Sequence, residues 1–248
     1  MKLYVNICFH YVEERLQYLD KVINSIQEIP TKETLIIVNS NERFECEGVV
    51  YVAHSLKDPY HLTWEHKKYM VEFLKTDYTH YVYLEDDMEI TKQTMDYWIE
   101  TRQLFKENNA NFLPAIHRIE YDNDGVPYSL DCTKKINFIN LQKVMIGDQA
   151  FASLPEPYQG MFIMDRELVQ EHMNTQSYYI GQNRGYGIRE SANLGNMYEN
   201  IPDGFNHRAL VPLEKFERCW VHHNSNNYQA NLNTPHAKIK VEELFNGN

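Results

Sequence analysis

The chain has 248 residues, 43% of them hydrophobic and 24% charged, with a formal net charge of −11 at pH 7. This length and composition suit one large globular domain, and the acidic balance, with no basic cluster, argues against a nucleic-acid binder. No run approaches the ~20 apolar residues of a membrane-spanning helix, and the N-terminus turns polar too early for a signal peptide.

Residues 3–9 read as a strand. Residues 13–29 follow with Leu16, Leu19, Val22, Ile23 and Ile26 at helical spacing, closed by Pro30. Residues 34–38 and 49–53 are apolar strands. Residues 61–75 read as a helix with Leu62, Tyr69, Met70, Phe73 and Leu74 on one side, and 81–84 form a fourth strand. A helix starts near Thr91 with Met95, Trp98, Ile99 and Phe105 inward. Strands separated by helices imply crossovers and a mainly parallel sheet, an α/β fold. Ligands then sit beyond the carboxyl ends of the strands. Those ends are His10-Tyr11, Asn39-Ser40-Asn41, His54-Ser55 and, above all, Glu85-Asp86-Asp87.

The second half is less regular. Asp122-Asn123-Asp124-Gly125 marks a hairpin between 119–121 and 126–128. Apolar runs at 136–141 and 161–164 come next, then a helix from Arg166. Gly181, Gly185 and Gly187 lead into Arg189-Glu190-Ser191, with Leu194, Met197 and Tyr198 fitting a short helix. Residues 209–213 and 219–221 are further strands, and the Asn-rich tail after Asn224 carries one helical turn at 241–245. No repeat or linker interrupts the chain, so it is expected to be one domain. Cys8, Cys46, Cys132 and Cys219 are scattered without a C-x-x-C pair, as in a reduced intracellular chain. The expectation is a soluble, cytoplasmic protein, with peripheral membrane contact left open.

The most informative stretch is Tyr81-Val82-Tyr83-Leu84-Glu85-Asp86-Asp87-Met88-Glu89-Ile90. Three adjacent carboxylates repel one another unless a cation or solvent compensates them. Mg2+ or Mn2+, held by one or two carboxylates and by phosphate oxygens, is one such compensation. A solvated acidic turn favouring the following helix dipole is the other.

Residues 84–90, leading to Tyr97-Trp98, resemble the EDD form of the D-x-D motif in GT-A glycosyltransferases. The similarity is greatest to the N-acetylglucosaminyltransferases of N-glycans and O-mannosyl glycans, and it spans about fifteen residues. It implies a GT-A fold, with 1–90 as the nucleotide-binding half and 91–248 as the acceptor half and tail. It also implies an Mn2+ or Mg2+ cofactor, a nucleotide-diphosphate sugar donor (UDP first) and a glycan or other hydroxyl acceptor. Asp87 would bind the metal, while Glu85 and Asp86 would face the ribose and donor sugar.

Three more landmarks resemble the family's in order. Tyr158-Gln159-Gly160-Met161-Phe162 is similar to the glycine loop beside the donor sugar. Gly187-Ile188-Arg189-Glu190-Ser191 is similar to the x-E-D motif, with Ser191 where the family often has an Asp. Glu190 is therefore the candidate general base, although a plain N-terminal-turn glutamate fits as well, and inverting and retaining chemistry both stay open. Trp220-Val221-His222-His223-Asn224 is similar to the C-terminal histidine landmark, so His222 or His223 joins the metal set. In an extended segment only one of the pair faces the site. His10, Tyr11 and Arg15 after the first strand, Asn39 after the second and Lys67 before the acidic run complete the donor rim. A non-catalytic nucleotide-sugar-binding protein and another metal-dependent nucleotide enzyme are the rival readings.

Overall fold

Seven consecutive buried side chains, Leu3 to Phe9, leave β1 (Lys2–Phe9) no solvent face. This is the pattern of a central parallel strand covered on both sides. The computed structural model describes residues 1–44, 48–134, 136–181 and 185–245. In it β1 lies between two parallel neighbours, β2 (Glu33–Ser40) and β4 (His80–Glu85). β3 (Val50–Ala53) is parallel to β2, and β11 (Met161–Asp165) runs antiparallel to β4. The sheet order is β11-β4-β1-β2-β3. The chain divides into two compact units, Met1–Met88 with Gly160–Glu199 and Glu89–Gln159 with Asn200–Asn248. The N-terminal segment of the first unit thus ends at Met88, close to the expected boundary at residue 90, and the unit takes in Gly160–Glu199 as well.

In the first unit, α1 (Leu16–Gln27) buries Leu19, Val22, Ile23 and Ile26, the stripe read from the sequence. The expected helix at 13–29 starts later, because Glu13–Arg15 is a 3-10 turn with no buried residue to hold it on the sheet. The expected helix at 61–75 is α-helical only as α2 (Lys68–Lys75), with Pro59–Lys67 a 3-10 helix. Side chains three apart eclipse in a 3-10 helix. That geometry stacks the Lys67 amine over the Trp64 ring, 4.3 Å from its centroid.

The end of α2 is closed by Arg166, the first residue of α4 (Arg166–Met173). Its guanidinium donates to the carbonyls of Leu74 (2.6 Å), Thr76 (2.9 Å), Tyr78 (3.1 Å) and Phe73 (3.3 Å). A cation on the orphan carbonyls of a helix C-terminus satisfies them and opposes the helix dipole. Arg166→Ala is expected to lower stability by about 2 kcal/mol in urea unfolding, and a change under 0.5 kcal/mol would show that water replaces the guanidinium at no cost.

The second unit opens with Glu89 of the short strand β5 (Met88–Glu89) and α3 (Lys92–Glu107), capped by Thr91, whose Oγ1 accepts from Thr94 N. β6 (Leu113–Pro114) pairs with β12 (Ala209–Pro212), which pairs in turn with β10 (Gln149–Ser153) and, through it, β9 (Lys143–Ile146). The expected hairpin forms as β7 (His117–Tyr121) and β8 (Pro127–Ser129) around Gly125, at φ +76°. β13 (Trp220–His223) runs parallel to β7, and β14 (Ile239–Lys240) antiparallel to β8. Phe105, Phe112, Ile146, Phe151 and Leu210 form the core between α3 and the β6-to-β9 sheet.

The apolar run at 136–141 holds a 3-10 turn, Phe138–Asn140, and the tail turn is also 3-10, Val241–Leu244. After the short α5 (Ile188–Ala192) the chain forms turns through Leu194, Met197 and Tyr198 rather than helix, with Gly195 left-handed at φ +54°. Cys8, Cys132 and Cys219 are free and buried, while Cys46 lies outside the described residues. Among the described residues no helix is long and apolar enough to cross a membrane.

Candidate donor site at the end of the fourth strand

The acidic run emerges where β4 leaves the sheet, between parallel β1 and antiparallel β11. Glu85 still belongs to the ladder, its N–H donating to Gly160 O at 3.2 Å. Gly160 sits at φ +64°, a left-handed backbone that favours glycine and admits the chain into β11. Beyond Glu85, the side chains turn inward: Asp86 is 5% exposed and Asp87 3%.

Their charge is met by Arg15. Its Nε donates to Asp86 Oδ2 at 2.8 Å, and Nη2 donates to Asp86 Oδ1 and Asp87 Oδ2, each at 2.9 Å. One guanidinium thus serves two buried carboxylates, leaving the group net negative. Burial raises the Asp86 carboxyl to about 7, and the Asp87 charge adds to the rise, while the Arg15 hydrogen bonds oppose it. The acidic run does not cap the following helix, because Thr91 does that. A solvated acidic turn is therefore not what the sequence folds into.

Glu190 is the third residue of α5, after its N-cap Gly187. Its Oε1 accepts from Arg189 Nε at 3.0 Å and Nη2 at 2.8 Å. The carboxylate folds back over Gly187, so that a Cβ there would stand 2.7 Å from Glu190 Oε2. Gly187 has φ −67°, open to alanine. Gly187→Ala is thus expected to leave the melting temperature within about 2 °C while displacing the Glu190 carboxylate. If that carboxylate is the base, turnover falls on the order of 10²-fold, whereas unchanged turnover would assign Glu190 to helix capping alone.

Two residues fix this segment to the sheet. Trp64 Nε1 donates to Ile188 O at 2.8 Å, and Asn193 Nδ2 donates to Glu85 Oε1 at 2.9 Å. Sequence reasoning passed over Asn193. Its signal was a polar residue inside Ser191–Met197, a run whose every member is buried.

The remaining donor-rim residues divide. His10 is exposed at the end of β1, and Tyr11, half-buried, packs near Phe9 and Phe44 with its N–H donated to Asn41 Oδ1 at 2.6 Å. Asn39 is 1% exposed and closed off, its amide donating to Asn6 Oδ1 at 3.3 Å and its Oδ1 lying 3.0 Å from His54 Nε2. Its side chain faces other protein groups, not an open nucleobase position. Lys67 corrects the expectation most clearly. Its amine is buried, donating to Ser177 O at 2.6 Å and lying 3.0 Å from His172 Nε2, so it presents no charge to a phosphate at the sheet edge. Desolvation holds that amine well below the ordinary lysine range.

In the second unit the two histidines of β13 alternate. His222 is half-exposed, its Nδ1 3.5 Å from Glu89 Oε2. His223 is buried with its Nδ1 2.7 Å from Glu120 Oε1, so its ring is committed to that unit's interior. Among the described residues no three His, Cys, Asp or Glu side chains gather as a ready-made metal cage. Asp86 and Asp87 nonetheless offer hard, charged oxygens. Two carboxylates with donor phosphates and water satisfy Mg2+ or Mn2+, so the chemistry of this set fits such an ion.

No protein-family model and no curated protein matches the sequence. Among solved structures, the chain is similar to a crystal structure of S. aureus TarS residues 1–349, with a TM-score of 0.49 and 13% identity over 92% of this chain. It is similar also to a crystal structure of S. aureus TarS, with a TM-score of 0.42 and 12% identity over 69% of this chain. The chain spans 63% and 30% of those two structures. Likenesses of this size carry no weight in assigning a function.

Proposed function

We propose that the chain is a metal-dependent glycosyltransferase of the GT-A kind. It takes a sugar from a nucleotide-diphosphate donor, UDP first, to a glycan or other hydroxyl acceptor. The observation that carries this reading is the burial of Asp86 and Asp87 at the carboxyl end of β4, where an α/β sheet binds its ligands. Burying two adjacent carboxylates is costly, and a cation held against them offsets that cost.

In this reading Asp87 holds the metal with Asp86 beside it, and Glu85, fixed by Asn193, faces the ribose and sugar. Mn2+ or Mg2+ would supply the charge that neutralises the leaving diphosphate. Gly160 lets backbone approach the donor sugar, His10 and Tyr11 border the nucleotide, and Arg15 stands ready for the diphosphate. Glu190 takes the acceptor proton as general base.

One feature favours a second reading, a nucleotide-sugar-binding protein without turnover: Glu190 is paired with Arg189, and Ser191 stands where the family often has an acid. UDP release from UDP-glucose, UDP-galactose and their N-acetylamino counterparts, with Mn2+ or chelator, separates the two. Release that needs Mn2+ and falls in Glu190→Gln supports the enzyme. Tight donor binding without release from any of the four assigns the binding protein.

A further inference from the structure

Arg15 occupies the place a cation would take. Three of the four oxygens of Asp86 and Asp87 accept a hydrogen bond from its guanidinium. A Mg2+ or Mn2+ ion about 2.1 Å from these oxygens would stand within a few ångströms of a guanidinium that is 2.8–2.9 Å from them. The two positive charges then repel each other at the same pair of carboxylates. Each cation therefore weakens the hold of the other.

The position of Arg15 suits exchange. It ends the 3-10 turn Glu13–Arg15, which has no buried residue, and its side chain is 30% exposed while those of Asp86 and Asp87 are 7% and 4% exposed. The carboxylates are fixed by the strand end, and the cation reaches them from an unbranched arm on a surface turn. It can swing out without opening the core. The Tyr18 ring, 5.8 Å from the guanidinium, and Glu13 and Glu14 in the same turn offer it a resting place. One positive charge against two carboxylates leaves a deficit that a divalent ion fills.

We infer that Arg15 is an internal counter-ion displaced when the metal and the donor diphosphate bind, which makes metal and nucleotide binding cooperative. This rests on the donor-site reading above. Metal alone binds against the charge of the guanidinium and loosens its pairing with both carboxylates. When a nucleoside diphosphate enters with the metal, its phosphates take up the released guanidinium, whose planar fork suits phosphate oxygens. Each ligand therefore strengthens the other, by a factor in the ordinary range for coupled sites, about 5- to 150-fold.

The test is Mn2+ titration, followed by the electron paramagnetic resonance signal of free Mn2+, with and without UDP. The proteins are the wild type, Arg15→Ala, Arg15→Lys and Asp87→Asn, each with its melting temperature in chelator and in Mn2+. Arg15→Ala is expected to melt lower in chelator and to recover in Mn2+. Without UDP it should bind Mn2+ on the order of tenfold tighter than the wild type, and it should gain less from UDP. Arg15→Lys, with one point contact in place of the fork, should fall between them and covers the case in which the alanine variant does not fold. Unchanged or weaker Mn2+ affinity in the Arg15 variants, with the wild type binding Mn2+ and UDP, overturns the exchange alone. If neither the wild type nor the variants bind Mn2+ under either condition, the donor-site reading falls, and the exchange with it.

Discussion

Asp87→Asn is expected to lower sugar transfer on the order of 10²- to 10³-fold while leaving the protein folded. The amide keeps the volume of a side chain that is 3% exposed, so packing around it is preserved. In the proposed reading, what disappears is a full charge beside the departing diphosphate, an electrostatic contribution that acts most strongly where water is excluded. The fold tolerates this loss because Asp86 keeps its two-pronged bond to Arg15, and a like charge next to it is removed. Initial rates of transfer against Mn2+ concentration, with circular dichroism as the folding control, measure the effect. Transfer within threefold of the wild type would take Asp87 out of the metal set.

A second large effect concerns pH and lies away from the acidic run. His117 is fully buried in the second unit, its ring centroid 4.8 Å from that of Phe216 and 6.3 Å from that of Phe138. Among the described residues neither ring nitrogen has a hydrogen-bond partner. The nearest acid, Asp131, is 3.9 Å away and already takes Arg118 Nε and backbone N, each at 2.7 Å. Burial lowers the imidazole from 6.5 to about 4, with Asp131 opposing the shift and Arg118 adding to it. A base with a depressed folded-state pKa binds fewer protons folded than unfolded between the two values. Stability is therefore lost as pH falls from 6.5 toward 4, by about 3 kcal/mol in all, and is flat below that. His66 and His172, also lowered by burial, act in the same direction. Asp86 acts in the opposite one. Its raised pKa gives stability that is present below 3.8 and lost as pH rises through about 7. His117→Phe isolates one contribution: urea unfolding should show a gain of about 3 kcal/mol over the wild type at pH 4 and within about 1 kcal/mol at pH 8. A pH profile parallel to that of the wild type would mean that folding does not shift the His117 imidazole.

The parts legible from sequence were those set by strong periodicity. β1, β2, β4 and the stripe of α1 follow from apolar runs and i, i+3, i+4 spacing, and the position of the acidic run follows from where β4 ends. The β7–β8 hairpin was announced by Asp122 and Gly125. The β9–β10 hairpin turns through Gly147 at φ +61°, and its Gly-Asp signal is present in the sequence but lies within short half-exposed strands that show little alternation. Residues 61–67 passed for α-helix because their apolar residues suit either helix, and the partners of Trp64 and Lys67, Ile188 and His172, lie far away in the sequence.

The site was legible as a set of residue types but not as a set of bonds. Asp86, Asp87 and Arg15 were all named, yet nothing in their spacing, 71 residues between Arg15 and Asp86, announced that the arginine neutralises the pair. Lys67 was placed on the donor rim because it precedes the acidic run. Its burial depends on α4 and the Ser177 carbonyl, more than a hundred residues away. Asn193 escaped for the same reason, its bond to Glu85 spanning 108 residues.

A thermal-shift titration against UDP, GDP, CMP and dTDP, each with and without Mn2+, on the wild type and Asp87→Asn, reaches the donor site most directly. A ligand that binds the folded state raises the melting temperature by mass action. The expected result is an Mn2+-dependent rise with one nucleotide, UDP first, that Asp87→Asn abolishes. No rise with any nucleotide, or a rise that Asp87→Asn leaves intact, would contradict a donor site at the end of β4.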